Sequence, residues 1–342
     1  MKKTNTVQKR ILTGDRPTGS LHLGHYVGSL QQRVRLQDEY EQYILVADTQ
    51  ALTDNFDDPQ KVQRNVVEVT MDNLAVGVDP QKSTLYIQSQ ISAVAELFVI
   101  FSNLVSVEEV GRNPTVKAEI LERSTQKKTF NKRIPFGFFS YPLHQCADIL
   151  CVNGDLVPVG EDQLPMVELS RTVAKRFNEA YSTNLFHIPE AKVTEVARLV
   201  GTDGNAKMSK SLGNCIYLSD DEETLRKKVF SVYTDPKRIH ANDPGQVEGN
   251  VVFIYLDAFD LDTDEVTDLK KRYREGRVGD VEVKERLFQV LNTFLTPIRD
   301  KRKYYESRKE EVMEILMAGS EKVRKISNEI LLQAKEAMKI RY

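Results

Sequence analysis

A chain of 342 residues is long for one domain and suits two, and 40% hydrophobic with 29% charged residues fits a folded globular protein rather than a disordered one. A formal net charge of −2 gives no general attraction for nucleic acid, so any such contact has to rest on a local basic face. Three cysteines, Cys146, Cys151 and Cys215, form no C-x-x-C pair and no zinc spacing with the five histidines. With no apolar run of about 18 residues and no signal-like N-terminus, they are expected to be buried, reduced thiols in a cytoplasmic protein without a membrane segment or a protein-bound metal.

In chain order, Ile11-Leu12-Thr13 ends at Gly14 and Tyr43-Ile44-Leu45-Val46-Ala47 at Asp48. Thr84-Leu85-Tyr86-Ile87 ends at Gln88, and Leu156-Val157-Pro158-Val159 at Gly160. Helix-period stretches, Val62 to Leu74 and Ala93 to Leu104, lie between them. Continuous apolar strands alternating with helices predict an α/β unit: a parallel sheet covered on both faces, binding ligands at the carboxyl ends of its strands. After about Gly213 the texture becomes helical. Ser219-Asp220-Asp221-Glu222 reads as a capping box, with Ser219 as the cap, opening a helix through Val229-Phe230. Asp264 to Tyr273, Val281 to Ile298 and Glu321 to Ile340 follow, the last with Val323, Ile326, Ile330, Ala334 and Ala337 on one face. Pro297 is expected to break or kink its helix, and Ala318-Gly319-Ser320 to end one helix and cap the next.

Two segments carry chemistry. In Leu12-Thr13-Gly14-Asp15-Arg16-Pro17-Thr18-Gly19-Ser20-Leu21-His22-Leu23-Gly24-His25 a strand runs through a glycine-containing loop into a helix. Glycine lets a ligand approach the backbone, a helix N-terminus offers unpaired amides, and imidazoles three apart share a face from which both can donate to phosphate. Alone, the fragment also reads as a loop–helix junction with surface histidines. The second is Asp203-Gly204-Asn205-Ala206-Lys207-Met208-Ser209-Lys210-Ser211-Leu212-Gly213-Asn214, a small-residue loop able to bring two ammonium groups to the β- and γ-phosphates of a nucleotide.

Together these segments resemble the HIGH and KMSKS motifs of the class I aminoacyl-tRNA synthetases. The resemblance implies a Rossmann-like parallel-sheet catalytic domain over residues 1–200, a mobile loop at 201–218 and an all-helical anticodon-binding domain at 219–342, with the last helix a candidate to pack back on the first domain. It also implies attack of an amino-acid carboxylate on the α-phosphorus of ATP, supplied with Mg2+, then transfer to the terminal ribose of tRNA. Catalysis would come from positioning and charge stabilisation, and no Ser-His-Asp or Cys-His arrangement competes with it.

Between the motifs, Tyr141, Gln145 and Asp148 fall at i, i+4 and i+7 and put a phenol, an amide and a carboxylate on one helix face. A solvated polar face is the plain alternative. A buried carboxylate suits the N–H of an indole, but a phenol can donate to it equally, so the physics leaves tryptophan and tyrosine open. Gly14 to Gly19, Val157 to Gln163 and Ala318 to Arg324 resemble the bacterial tryptophan branch of the family, over nearly the whole chain. By that resemblance Asp148 would accept from the indole nitrogen, Val157 and Val159 would line the ring pocket, and Tyr141, Gln145 and Gln163 would handle the amino-acid backbone. Gly14, Arg16, Pro17, Thr18, Gly24, His25, Gly160, Glu161, Asp162, Leu199, Lys207, Met208, Ser209, Lys210 and Ser211 would surround ATP. His22, His25, Lys207, Lys210 and Lys117 would act on its phosphates. Gln145 and the pair of histidines differ from many relatives, which carry Met at the first and Asn or Thr for one histidine.

The helical half holds Lys270-Lys271-Arg272, Arg299, Lys301-Arg302-Lys303 and Arg308-Lys309, with Tyr304-Tyr305 among them. Such clusters read either as an RNA-facing surface or as solvated helix faces. The family implies tRNA(Trp) and L-tryptophan as partners and a homodimer. The loop Lys127-Lys128 to Lys132-Arg133 would touch the acceptor end of the RNA or the second subunit. The rival readings are a tyrosine-specific relative, a small-molecule adenylyltransferase sharing the histidine motif, and a catalytically silent synthetase relative.

Overall fold

The structure, a computed structural model, describes residues 8–125, 134–193, 199–205, 207–234, 238, 240 and 242–342. The basic loop at Lys127 to Arg133 lies outside the described residues. Among the described residues five strands, β1 (Arg10–Asp15), β2 (Glu41–Val46), β3 (Ser83–Ile87), β4 (Leu156–Val159) and β5 (Glu190–Val193), form one sheet in the order β3-β2-β1-β4-β5. Every pairing is parallel, with Asp15 beside Val46 and Val46 beside Ile87, so these carboxyl ends share one edge. The strand order reverses between β1 and β4, the crevice where an open α/β sheet takes its ligands. Four strands coincide with the apolar runs of the sequence. The fifth, Glu-Ala-Lys-Val, escaped because an edge strand need not be apolar on both faces.

From β1 the chain enters a helical run made of α1 (Leu23–His25), a π-helical turn (Tyr26–Leu30) and α2 (Gln31–Leu36). α3 (Asp48–Asn55) and α4 (Pro59–Ala75) follow β2, and α4 starts with Asp58 accepting from the Lys61 amide and proline at its first position. α5 (Ser92–Ser102), α6 (Val107–Arg112), α7 (Pro114–Thr125), α8 (Phe136–Leu150) and α9 (Leu164–Ala180) complete the sheet-based half. The remainder is helical: α10 (Glu222–Phe230), α11 (Val251–Phe259), α12 (Thr263–Arg274), α13 (Asp280–Glu306) and α14 (Lys309–Ala337).

Three expectations about this half need correction. The cap of α10 is Asp221, which accepts from the Thr224 amide, while Asp220 accepts from Tyr217 N and Lys228 Nζ; Ser219 plays no capping part. α13 is not broken at Pro297, because the proline and Thr293, whose carbonyl it leaves without an intrahelical donor, both lie on the exposed face where water can serve. α14 likewise continues through Ala318-Gly319-Ser320. There Gly319 is a contact residue: a β-carbon built on it would lie 1.9 Å from the Leu85 carbonyl oxygen of β3. The C-terminal helix therefore packs on the sheet edge. One apolar cluster also joins Leu21, Leu23, Val27 and Leu30 of the first motif region to Met208, Ile216 and Leu218 and to α10, α11 and α13.

Candidate active site

The two motif segments meet through backbone pairing. Leu23 N donates to Ile216 O at 3.0 Å and Leu218 N to Leu21 O at 3.0 Å, an antiparallel bridge centred on His22 and Tyr217. Nothing in either motif announces this pairing; the segment Cys215 to Leu218 that supplies it is fully buried except for the half-buried Tyr217.

His22 sits at the N-cap of α1. Its Nδ1 accepts from Gly24 N at 3.1 Å, and His25 Nδ1 accepts from His22 N at 3.2 Å, a capping box built from imidazoles. Gly24 is needed here, since a β-carbon would lie 3.0 Å from the His22 ring. The rings lie 3.8 Å apart between centroids. Burial, then the neighbouring His25, Lys210 and Lys207, pushes His22 down to about 2, and burial with Lys210 brings His25 down to about 4. Both are neutral at physiological pH. With each Nδ1 accepting, the proton of each ring belongs on Nε2, leaving two N–H donors free to face a ligand.

The lysine loop is held by Asn214. Its Oδ1 accepts from Ser209 N at 2.7 Å, and its Nδ2 donates to Asp203 Oδ1 at 3.0 Å. Gly201 makes room for it, and Gly213 takes a positive φ of 67°. Met208 is buried beside Gly24 and donates its amide to Leu199 O at 3.2 Å; Ser209 and Ser211 share a hydroxyl hydrogen bond at 3.0 Å. Lys210 Nζ donates to Gly19 O at 2.6 Å, while Lys207 is exposed. Burial lowers the Lys210 ammonium, opposed by Asp15 and Asp72.

At the end of β1, Arg33 donates to both Asp15 oxygens, to Gly14 O at 3.0 Å, to Thr13 Oγ1 at 3.2 Å and to Asn73 Oδ1 at 2.8 Å. Burial raises Asp15, but the Arg33 guanidinium outweighs it and holds the carboxyl below its ordinary value. Gly14 serves the sheet, its missing β-carbon leaving space for Leu45 O, which would be 2.6 Å away. Arg16 is exposed and paired with Asp54 at 2.7 Å; Pro17 is buried, and Thr18 N donates to Arg16 O.

The third region lies on α8 and the end of β4. Tyr141 OH donates to Glu119 Oε2 of α7 at 2.7 Å, and Arg16 and Asp54 are close enough to bias the same phenol, which burial holds above its ordinary value. Asp148 is 2% exposed; its Oδ2 accepts from Gln88 Nε2 at 2.7 Å, and its Oδ1 is buried without a hydrogen-bond partner among the described residues. His144 Nδ1 stands 3.6 Å from the same carboxylate; burial opposes its protonation, but Asp148 outweighs this and raises it. Gln145 and Val159 are half-buried, and Val157 is buried. Gly160 leads into a short turn with Glu161 and Asp162 exposed and Gln163 Nε2 3.3 Å from Asp162 Oδ2. Thr115 Oγ1 donates to Asp162 O at 2.8 Å, tying α7, which carries the exposed Lys117, to this turn. Cys146, Cys151 and Cys215 are buried and free. Gln88, Asn214, Arg33 and Glu119 were assigned no role in the sequence. Only Gln88, at the carboxyl end of an apolar strand, carried a signal.

A model of the family described as tRNA synthetases class I (W and Y) matches residues 4–296. A tryptophan–tRNA ligase of Clostridium longisporum is 49% identical over 336 residues, covering 97% of each chain. One from Streptococcus mutans is 50% identical over 339 residues, covering 97% of this chain and 98% of the relative. Among solved structures, the Campylobacter jejuni tryptophanyl-tRNA synthetase complexed with ADP and tryptophan superposes with a TM-score of 0.84 at 33% identity, covering 96% of this chain and 99% of that one.

Proposed function

We infer the chemistry from kinship first: the chain belongs to the class I tRNA synthetases of the tryptophan and tyrosine group. It is a tryptophan–tRNA ligase, using ATP and tRNA, since relatives of that activity share half its residues over nearly its whole length. The tyrosine alternative has no such support.

The roles of individual residues are our reading of the family resemblance together with the geometry. The tryptophan carboxylate attacks the α-phosphorus of ATP; the new C–O–P link forms as the bond to the β-phosphate breaks and pyrophosphate leaves. A hydroxyl of the terminal ribose of tRNA(Trp) then attacks the acyl carbon, losing its proton, and AMP departs. His22 and His25 offer hydrogen bonds from their Nε2–H groups to phosphate oxygens as charge develops, from rings already fixed by backbone amides, so little reorganisation is needed. Lys207 and Lys210 serve the β- and γ-phosphates. Lys210, now on Gly19 O, exchanges that carbonyl for phosphate. Lys117, Arg16, Pro17, Thr18, Gly160, Glu161, Asp162 and Leu199 border the nucleotide, which arrives as its Mg2+ complex. Among the described residues no group of three His, Cys, Asp or Glu side chains is placed to hold a metal ion of its own.

The observation that carries the tryptophan site is Asp148 Oδ1, a buried acceptor without a donor among the described residues. Such an atom is costly to leave unpaired, and an indole N–H supplies what it lacks. Val157 and Val159 border the ring, and Tyr141, Gln145 and Gln163 the amino and carboxylate groups. ATP–pyrophosphate exchange tests this: we expect exchange with tryptophan, and a fall in kcat/KM for tryptophan of about 100-fold or more in Asp148→Ala with the KM for ATP little changed. Equal, small effects on both substrates would remove Asp148 from the pocket. We further propose a homodimer in the cytoplasm with the helices after residue 219 reading the anticodon. Among the described residues no helix is long and apolar enough to cross a membrane.

A further inference from the structure

The two oxygens of Asp148 differ because of Gln88. That side chain is 2% exposed at the carboxyl end of β3. Its Oε1 accepts twice, from Thr49 Oγ1 at 2.5 Å and from Gln50 N at 3.0 Å. An amide whose oxygen is engaged on one side must turn its NH2 to the other. Here that group reaches Asp148 Oδ2 at 2.7 Å and His144 Nδ1 at 3.1 Å. Flipping the amide would forfeit two hydrogen bonds and set oxygen against carboxylate.

The segment bearing Gln88 is also gripped from outside the sheet. β3 is an edge strand, so its outer amides have no strand partner. α14 covers them. Ser320 Oγ accepts from Ile87 N at 3.1 Å while donating to Leu316 O at 2.7 Å. Arg324 Nε donates to Gln90 O at 3.2 Å. Gly319 permits the close approach to Leu85 O. The residue before Gln88 and the second residue after it are thus tied to the C-terminal helix.

We propose that Gln88 is a positioning residue for indole recognition, and that α14 sets its place through Ser320 and Arg324. By occupying Oδ2, the amide leaves Oδ1 alone to meet the substrate, so the site requires a ring N–H and not only a ring of the right size. This rests on Asp148 being the indole partner. The test is ATP–pyrophosphate exchange with tryptophan and with β-(3-benzothienyl)alanine, which keeps the shape and replaces the ring N–H by sulfur. The wild-type protein is expected to prefer tryptophan by about 100-fold in kcat/KM. Gln88→Met, close in volume but with no donor and only a weak thioether acceptor, should cut that preference about tenfold through KM for tryptophan, with KM for ATP unchanged. Ser320→Ala and Thr49→Val, which loosen the grip without touching substrate, should each lower it a few-fold. A general structural loss would lower both rates and leave the ratio alone. An unchanged ratio in Gln88→Met overturns the proposal, as does an unchanged ratio in both milder variants if Gln88→Met does not fold. A wild-type protein that fails to discriminate overturns the Asp148 reading itself.

Discussion

At the scale of single residues, the site depends on side chains whose ordinary behaviour has been altered by burial. His22 and His25 are depressed to about 2 and about 4 because the ring pocket is desolvated and two lysines stand near. The unfolded chain therefore takes up protons below about pH 6.5 that the folded chain refuses, and stability contributed by these neutral rings is lost as pH falls from 6.5 toward 4. Asp72, raised by burial to about 6, works in the opposite direction between 3.8 and 6, so the histidine effect is isolated by difference. In His22→Asn/His25→Gln, where amide oxygens can replace both Nδ1 acceptors of the capping box, Tm should fall less between pH 6.5 and 4.5 than in the wild-type protein. Parallel Tm–pH curves would show that the rings are not held neutral. The cysteines are altered too: burial pushes Cys146 up to about 12 and Cys215 up to about 11, as expected of packing thiols rather than nucleophiles.

At the scale of elements, local signals and packing disagree most clearly in α14. Read locally, Ala318-Gly319-Ser320 is a stop and a cap, and Gly319→Ala would help a helix by about 1 kcal/mol. In the folded chain the glycine is where the helix lies against Leu85 of β3, with Ser320 meeting the neighbouring edge amide. Gly319→Ala should therefore destabilise by about 1–3 kcal/mol net, read from denaturant midpoints; a gain in stability would mean the helix does not sit this close to the strand. α13 shows the same lesson with Pro297, tolerated because it and Thr293, whose carbonyl loses its helical donor, face solvent. α8 carries Pro142 inside a buried helix and still presents Tyr141 and Asp148 seven residues apart, about two turns along one face.

At the scale of the whole molecule, the helical half reaches the histidine loop through one buried ion cluster. Arg302 of α13 pairs with Asp72 and Glu68 of α4, and Asp72 accepts from Leu21 N at 2.7 Å, one residue before His22. Asp72 is fully buried and Arg302 is 4% exposed, so Arg302→Met strands a carboxylate and should cost about 3–5 kcal/mol, much of it recovered in Arg302→Met/Asp72→Asn. Urea unfolding of the two variants checks this; equal losses would mean the carboxylate is not what Arg302 compensates. The amino-acid sequence by itself determined what depends on near neighbours: the parallel strands from their apolar runs, the amphipathic helices, and the residue types able to handle phosphate. It also singled out Asp148, on one helix face with Tyr141 and Gln145, while leaving a solvated polar face as the alternative. Only the tertiary structure decided that residues 21–23 pair with 216–218, that Asn214 secures the lysine loop and that α14 closes the sheet edge. It alone fixed which oxygen of Asp148 is left open. Those features join positions from 5 to 234 residues apart, where neither periodicity nor propensity carries information and the hydrogen bonds and close contacts of the folded chain make the choice.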